Sequence, residues 1–282
     1  MKLEPELRFV VDLLRMCGPQ ALRWQAGGAR ILAVRHKPLG GGPITAADRD
    51  LNDTIVNALR ERFPHDGVLA EESEADDVWR TATRCWFVDP IDGTREFARG
   101  TAGWTVQVGL TIEGRPVLGV VAEPALGRLC WAAWDGAWSG AETFGDGTSR
   151  ALRGASRALA EIRLIGGKLF PFSRQHAIRR RLGVDRNRAL SVGSVGVRMT
   201  AVARGEADAY VQAPGRTKLW DTCAPMCLVE AAGGRVTDLR GEPLQFRSGS
   251  ITHARGVIAT GGRHHDAIVE RLRPLTDAWL RG

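Results

Sequence analysis

The segment Asp89-Pro90-Ile91-Asp92-Gly93-Thr94 constrains this chain more than any other feature. It follows directly on the apolar run Cys85-Trp86-Phe87-Val88, which reads as a buried strand leading to a polar site. Pro90 ends regular pairing there and Gly93 permits a tight turn. Two carboxylates three residues apart on such a turn can point into one cavity. Further acids close other elements. Glu71 and Glu72 end the short apolar run Val68-Leu69-Ala70, and successive strand side chains face opposite ways, so only one of the two is expected to join a site. Thr45 reads as an N-cap with Asp48 in the capping-box position, and Asp221 precedes a helix expected to start near Thr222.

Singly, each of these acids has a plain structural explanation. Asp48 and Asp221 could be ordinary caps, and Glu71 and Glu72 a solvated strand end. Together they form a carboxylate cluster without matching cations. Such groups repel one another, and a hard cation of the Mg²⁺ type relieves the repulsion. Two such ions can activate a water and stabilise a leaving alkoxide in phosphoryl transfer. The N–H groups of Gly93 and Thr94, at the start of a short helix, could hold phosphate oxygens.

The rest of the pattern divides the chain in two. Residues 4–25 read as a helix with a break or kink at Gly18-Pro19. Leu39-Gly40-Gly41-Gly42-Pro43 reads as a loop, and the helix after Thr45 puts Leu51, Ile55, Leu59 and Phe63 on one face. Residues 104–141 alternate as an antiparallel meander, with Trp131, Trp134 and Trp138 as packing residues. A stretch rich in Gly, Ser and Thr follows. We place the boundary there, giving an α+β domain at 1–145 with most of the acids and an α/β domain at 146–282 carrying Asp221.

Composition excludes several classes. Of 282 residues, 44% are hydrophobic and 25% charged, which rules out disorder, collagen and coiled coil. No run approaches the roughly 18 apolar residues of a membrane span, and the N-terminus lacks a signal-peptide pattern. The five scattered cysteines fit free thiols in a reducing cytoplasm. Cys223 and Cys227 could share a helix face, but no second pair stands at zinc-site spacing, so they read as small buried residues. A formal charge of +7 suggests an anionic partner. Six arginines lie between 174 and 188 against the single acid Asp185; they read as a solvated helix face, with a distal phosphate or RNA as alternative partners, and without the interleaved aromatics of a nucleic-acid motif.

Glu71-Glu72-Ser73, Asp89-Pro90-Ile91-Asp92-Gly93-Thr94 and Trp220-Asp221-Thr222-Cys223-Ala224-Pro225 resemble, in order and spacing, the inositol monophosphatase superfamily of lithium-sensitive, Mg²⁺-dependent phosphatases. The resemblance implies a layered αβαβα sandwich, α/β in class, with the site between its halves. It implies that Glu71, Asp89 and the carbonyl of Ile91 hold one Mg²⁺, that Asp89, Asp92 and Asp221 hold a second, and that Glu71 meets a third, weaker ion. Thr94 would orient the attacking water, with Asp48 paired to it as base, and the attack would be in line, without a phosphoenzyme. Residues 191–210 and 220–238 resemble most the branch that hydrolyses 3′-phosphoadenosine 5′-phosphate, a 3′(2′),5′-bisphosphate nucleotidase. Inositol-specific members carry an acid a few residues before the Trp-Asp pair. Here residues 212–218 have none, and carry Arg216 and Lys218 instead. Relatives in the nucleotidase branch often have Lys where this chain has Arg198, which keeps the charge and adds a bidentate fork. The resemblance thus implies substrate contacts from Gly193, Ser194, Arg198, Arg216 and Lys218, a small phosphorylated substrate, and a monomer or homodimer. The alternatives are an inositol-1-phosphate or sugar monophosphatase and, more remotely, a basic nucleic-acid-binding protein on an inactive scaffold.

Overall fold

The computed structural model describes residues 2–28, 32–36, 43–74, 77–167, 173–215, 217–247 and 249–281. Residues 39–42 of the expected glycine loop and Arg216 lie outside the described residues. In chain order the elements are α1 (Glu4–Ala26), β1 (Arg35–His36), β2 (Pro43–Ile44), α2 (Ala46–Arg62), β3 (Gly67–Ala70), α3 (Val78–Thr81), β4 (Arg84–Asp92), α4 (Thr94–Ala98), β5 (Thr105–Ile112), β6 (Arg115–Glu123), β7 (Arg128–Trp134), β8 (Trp138–Phe144), β9 (Ser149–Ala151), β10 (Leu164–Gly166), α5 (Arg174–Leu182), β11 (Ala189–Ser191), α6 (Val195–Ala203), β12 (Ala209–Gln212), α7 (Leu219–Ala231), β13 (Arg235–Thr237), β14 (Val257–Thr260) and α8 (His265–Arg281).

Two sheets organise them. Strands β3 to β9 form one in sequence order, parallel only between β3 and β4 and an antiparallel meander from β4 onward. The second has the order β11-β10-β12-β14-β13, parallel across its first three strands and antiparallel at β14. Three cores fix the layering. Leu13, Leu14, Leu51 and Ile55 of α1 and α2 pack with Val106, Val108 and Leu110 on one face of the first sheet. Phe87 and Val121, on its other face, pack with Met199, Leu228 and Val229 of α6 and α7, which also reach Tyr210 of the second sheet. Ile178, Leu182, Ile268 and Leu272 of α5 and α8 cover the far face of that sheet. The result is the five-layer sandwich, with both faces of β5 buried.

The central helix comes unusually close to the first sheet. Gly109 and Gly119 are paired in register on β5 and β6. A Cβ at Gly119 would lie 2.2 Å from Ala224 O, and one at Gly109 would lie 2.6 Å from Cys223 Sγ. Only glycine lets the α7 backbone sit here, and α7 carries Asp221.

Some elements differ from the sequence expectations. Helix α1 runs through Gly18-Pro19 without a break. Proline removes one helical hydrogen bond, but Leu13, Leu14, Cys17 and Ala21 are buried on both sides of it, and that packing keeps the helix going. Helix α7 starts at Leu219 rather than near Thr222, because Asp221 at the third helical position accepts the N–H of the N-cap residue Lys218. Asp221 therefore sits in the first turn instead of before it.

Candidate active site

The bulge in β4 brings the two motif carboxylates together. On a regular strand, residues three apart point to opposite faces. Here Asp89 pairs with Gln107 while Asp92 pairs with Thr105, so three steps on β4 match two on β5. Gln107 and Thr105 share a face of β5, and Asp89 and Asp92 consequently share one too. Gly93, at φ 100°, turns the chain into α4. A Cβ there would come within 3.1 Å of Gly103 O and Ser194 Cβ.

Four other segments converge on this bulge. Glu71 follows β3, where its N–H donates to Val88 O at 3.1 Å, and Ser73 in the same turn accepts from Asn52 Nδ2 of α2 at 3.0 Å. Asp221 Oδ2 accepts the Lys218 N–H at 2.7 Å. Asp92 Oδ2 accepts from Ser194 Oγ at 2.7 Å and from the Gly196 N–H. A Cβ at Gly196 would lie 2.5 Å from Thr105 Oγ1 and Gln107 Oε1, so glycine allows this approach. Asp48 completes the capping box of α2: its Oδ2 accepts Thr45 N–H at 2.7 Å and Thr45 Oγ1 at 2.6 Å. Thr94 Oγ1 lies 3.2 Å from both Asp48 Oδ1 and Ile91 O.

Electrostatics bind these acids into one group. Burial pushes the Asp89 carboxyl well above the usual range, and Glu71, Asp92 and Asp221 push it further. Asp221 is raised in the same way by burial, Asp92 and Glu71. Asp92 is raised by burial, opposed by its Ser194 and Gly196 bonds and by the Arg198 charge. Asp48 is pushed up to about 6, chiefly by burial, against the pull of its Thr45 hydrogen bonds.

Do these residues suit a cation? Among the described residues, no three acidic, histidine or cysteine side chains already stand in ligating geometry about one point. Asp92 and Asp221 each have one oxygen turned to protein donors. Asp89 Oδ1 is buried with no hydrogen-bond partner. Acceptor oxygens that repel one another, one of them unsatisfied, are the donor set a hard divalent cation requires. The residues fit Mg²⁺.

The expected substrate residues are placed as follows. Gly193 and Ser194 border α4: a Cβ at Gly193 would lie 2.3 Å from Glu96 Cδ. Arg198 is buried, with Nε 2.9 Å and Nη2 2.7 Å from Val192 O and Nη2 also donating to Gly193 O. Lys218 Nζ donates to Thr252 Oγ1 at 2.9 Å. Within the arginine-rich stretch, Arg179 and Arg181 donate to the carbonyls of Val184 and Arg271, and Arg174 lies over the Trp279 ring. The five cysteines are free and buried, and no described helix is long and apolar enough to cross a membrane.

Sequence reasoning missed Thr105, Gln107 and Gly196. For Thr105 and Gln107 the available signal was the second face of β5, Thr105-Gln107-Gly109-Thr111, which holds only polar residues and a glycine yet is fully buried.

Comparison with known proteins gives the family and the fold. Residues 25–276 match the model of the inositol monophosphatase family. The chain is 35% identical over 247 residues to the 3′(2′),5′-bisphosphate nucleotidase CysQ of Salmonella typhimurium, covering 85% of this chain and 93% of that one. It is 34% identical over 208 residues to the 3′-phosphoadenosine 5′-phosphate phosphatase of Mycobacterium bovis, covering 71% of each. Among solved structures, Thermotoga maritima IMPase superposes with a TM-score of 0.79 at 26% identity, over 97% of this chain and 99% of that one. The extragenic suppressor protein suhB of Bartonella henselae gives 0.77 at 26% identity, over 95% and 98%. This chain belongs to the inositol monophosphatase family, and with it to the metal-dependent phosphomonoesterases.

Proposed function

We propose that the protein is a Mg²⁺-dependent 3′(2′),5′-bisphosphate nucleotidase, converting 3′-phosphoadenosine 5′-phosphate and water to AMP and phosphate. The observation that carries the reaction class is the mutually repelling group of Glu71, Asp89, Asp92 and Asp221, with Asp89 and Asp92 buried, beside the Asp48–Thr94 pair. The substrate is supported by two relatives at 34–35% identity that bear nucleotidase or phosphatase names of this kind, and by residues 212–218, which carry cations and no acid.

Glu71, Asp89 and the Ile91 carbonyl would hold one ion, and Asp89, Asp92 and Asp221 a second, with Glu71 also meeting a third. Bound Mg²⁺ would supply Lewis-acid polarisation of the phosphate, a more acidic water and charge for the leaving oxygen. The protein's part is orientation and proton handling. Thr94 Oγ1 donates to Asp48 Oδ1, which leaves its lone pair to accept an O–H of the attacking water. As the P–O bond forms, that proton passes through Thr94 to Asp48. The phosphoryl group goes directly to water, and no residue becomes phosphorylated. The N–H groups of Gly93 and Thr94 face the phosphate oxygens. Gly193 and Ser194 border the substrate, Arg216 and Lys218 bring charge for its second phosphate, and Arg198 takes the part argued below. The site lies between the halves 1–145 and 146–282, since Asp221 comes from the second. The family suggests lithium inhibition, and five buried thiols suit a cytoplasmic setting.

The fold match to Thermotoga maritima IMPase favours an inositol phosphatase as the second reading. Phosphate release from equal concentrations of 3′-phosphoadenosine 5′-phosphate and inositol 1-phosphate decides between them. A higher kcat/KM for the nucleotide supports our reading. A higher value for the inositol ester replaces it and removes the roles given to Arg216 and Lys218.

A further inference from the structure

The turn at residues 192–196 is the junction of the site. From it, Ser194 Oγ and the Gly196 N–H both reach Asp92 Oδ2. Ser194 Oγ also caps α6 by accepting the Val197 N–H at 3.1 Å. The Ser194 N–H reaches Gly103 O at 3.4 Å, and Gly193 lies directly against the Glu96 carboxylate of α4. The Val192 N–H, donating to Gly166 O at 3.0 Å, ends the β10–β11 ladder, and the carbonyls of Val192 and Gly193 lie beyond it.

Behind it stands Arg198. Its guanidinium donates from Nε and Nη2 to Val192 O, and from Nη2 to Gly193 O. The group is enclosed: the Tyr210 ring centroid is 5.9 Å from Cζ, and a Cβ at Gly167 would come within 3.3 Å of Nη2. A planar fork that grips two successive carbonyls fixes the peptide between them, which a flexible ammonium cannot do equally well.

We propose that Arg198 is a positioning residue for Asp92: it locks the 192–193 carbonyls, so that Ser194 and Gly196 present two fixed donors to Asp92 Oδ2 and leave the other oxygen for the cation. The side chain expected from sequence to meet a phosphate acts instead through the turn. The inference rests on the assignment of Asp92 to the cation site made above. Partners that orient a metal ligand in this manner are worth about 10- to 100-fold in metal affinity.

The test is calorimetric titration of the full chain with Mg²⁺, for wild type, Arg198→Met, Arg198→Lys and Ser194→Ala, together with steady-state kinetics on 3′-phosphoadenosine 5′-phosphate for the Arg198 variants. We expect Arg198→Met and Ser194→Ala to weaken Mg²⁺ binding by about 10-fold or more, and Arg198→Lys by less. Activity of Arg198→Met falls at limiting Mg²⁺ and recovers at high Mg²⁺, with KM for the nucleotide unchanged once Mg²⁺ saturates. Wild-type Mg²⁺ affinity with a raised KM makes Arg198 a substrate contact and overturns the proposal. If Arg198→Met does not fold, wild-type Mg²⁺ affinity in both Arg198→Lys and Ser194→Ala overturns it equally. Wild-type affinity in Asp92→Asn is a different failure, since it removes Asp92 itself from the cation site.

Discussion

Gln107 Nε2 lies 3.4 Å from the carbonyl oxygen of Asp221, an acceptor that Pro225, four residues on, leaves without its helical donor. The same nitrogen is 3.4 Å from Trp220 O and 3.5 Å from Asp89 Oδ2. One buried amide therefore ties β5, the first turn of α7 and one carboxylate of the site together. Gln107→Leu leaves a buried carbonyl unsatisfied at a cost of about 1–3 kcal/mol. It is expected to lower both the denaturation midpoint and the Mg²⁺ affinity. Wild-type values for both would make the amide incidental.

The contact between Gly119 and Ala224 predicts a second effect at a distance from the chemistry. A methyl at Gly119 meets the α7 backbone at 2.2 Å, and backbone cannot rotate aside. Gly119→Ala should cost about 1–3 kcal/mol through overpacking. Because the displaced helix carries Asp221, Mg²⁺ binding should weaken as well. A variant with native stability and native Mg²⁺ titration would show that α7 does not need this approach.

Thr94→Val keeps the side-chain shape and removes the hydroxyl that links water to Asp48. We expect kcat to drop by about 10²- to 10⁴-fold, with KM little changed. Thr94→Ser should retain most of the activity. A valine variant within a few-fold of wild type would take Thr94 and Asp48 out of the proton path.

The raised carboxyls give a pH prediction for stability. In the absence of a cation, Asp89 and Asp221 hold protons in the folded state to a higher pH than in the unfolded chain. Their contribution to stability is therefore present at low pH and lost as pH rises through their folded pKa. Mg²⁺ competes with those protons and replaces their effect at high pH. The Mg²⁺-induced rise in Tm should be larger at pH 8 than at pH 5. A rise independent of pH would mean that the ion binds elsewhere.

The ends of the site were legible in sequence because each relies on local chemistry. Pro90 announces a break in regular pairing and Gly93 a turn, although pairing resumes at Asp92 after a bulge that the sequence reading did not foresee, and Thr45 with Asp48 announces a capping box that the structure contains. The meander was legible from the alternation of Val106, Val108 and Leu110. Gln107 and Gly196 were not, because their roles arise where segments about 90 residues or more apart in the chain meet, and no local pattern encodes that. Arg198 was visible as a cation near the site, but its two carbonyl partners belong to a turn whose shape only the tertiary structure defines.

The most direct test of the account is phosphate release from 3′-phosphoadenosine 5′-phosphate by wild type and Asp92→Asn, each with Mg²⁺ and with EDTA. We predict turnover by wild type in Mg²⁺ alone, and a loss of at least about 100-fold in Asp92→Asn, from the missing stabilisation of transition-state charge. Turnover in EDTA, or near-wild-type activity in Asp92→Asn, would contradict a metal-dependent reaction centred on these carboxylates.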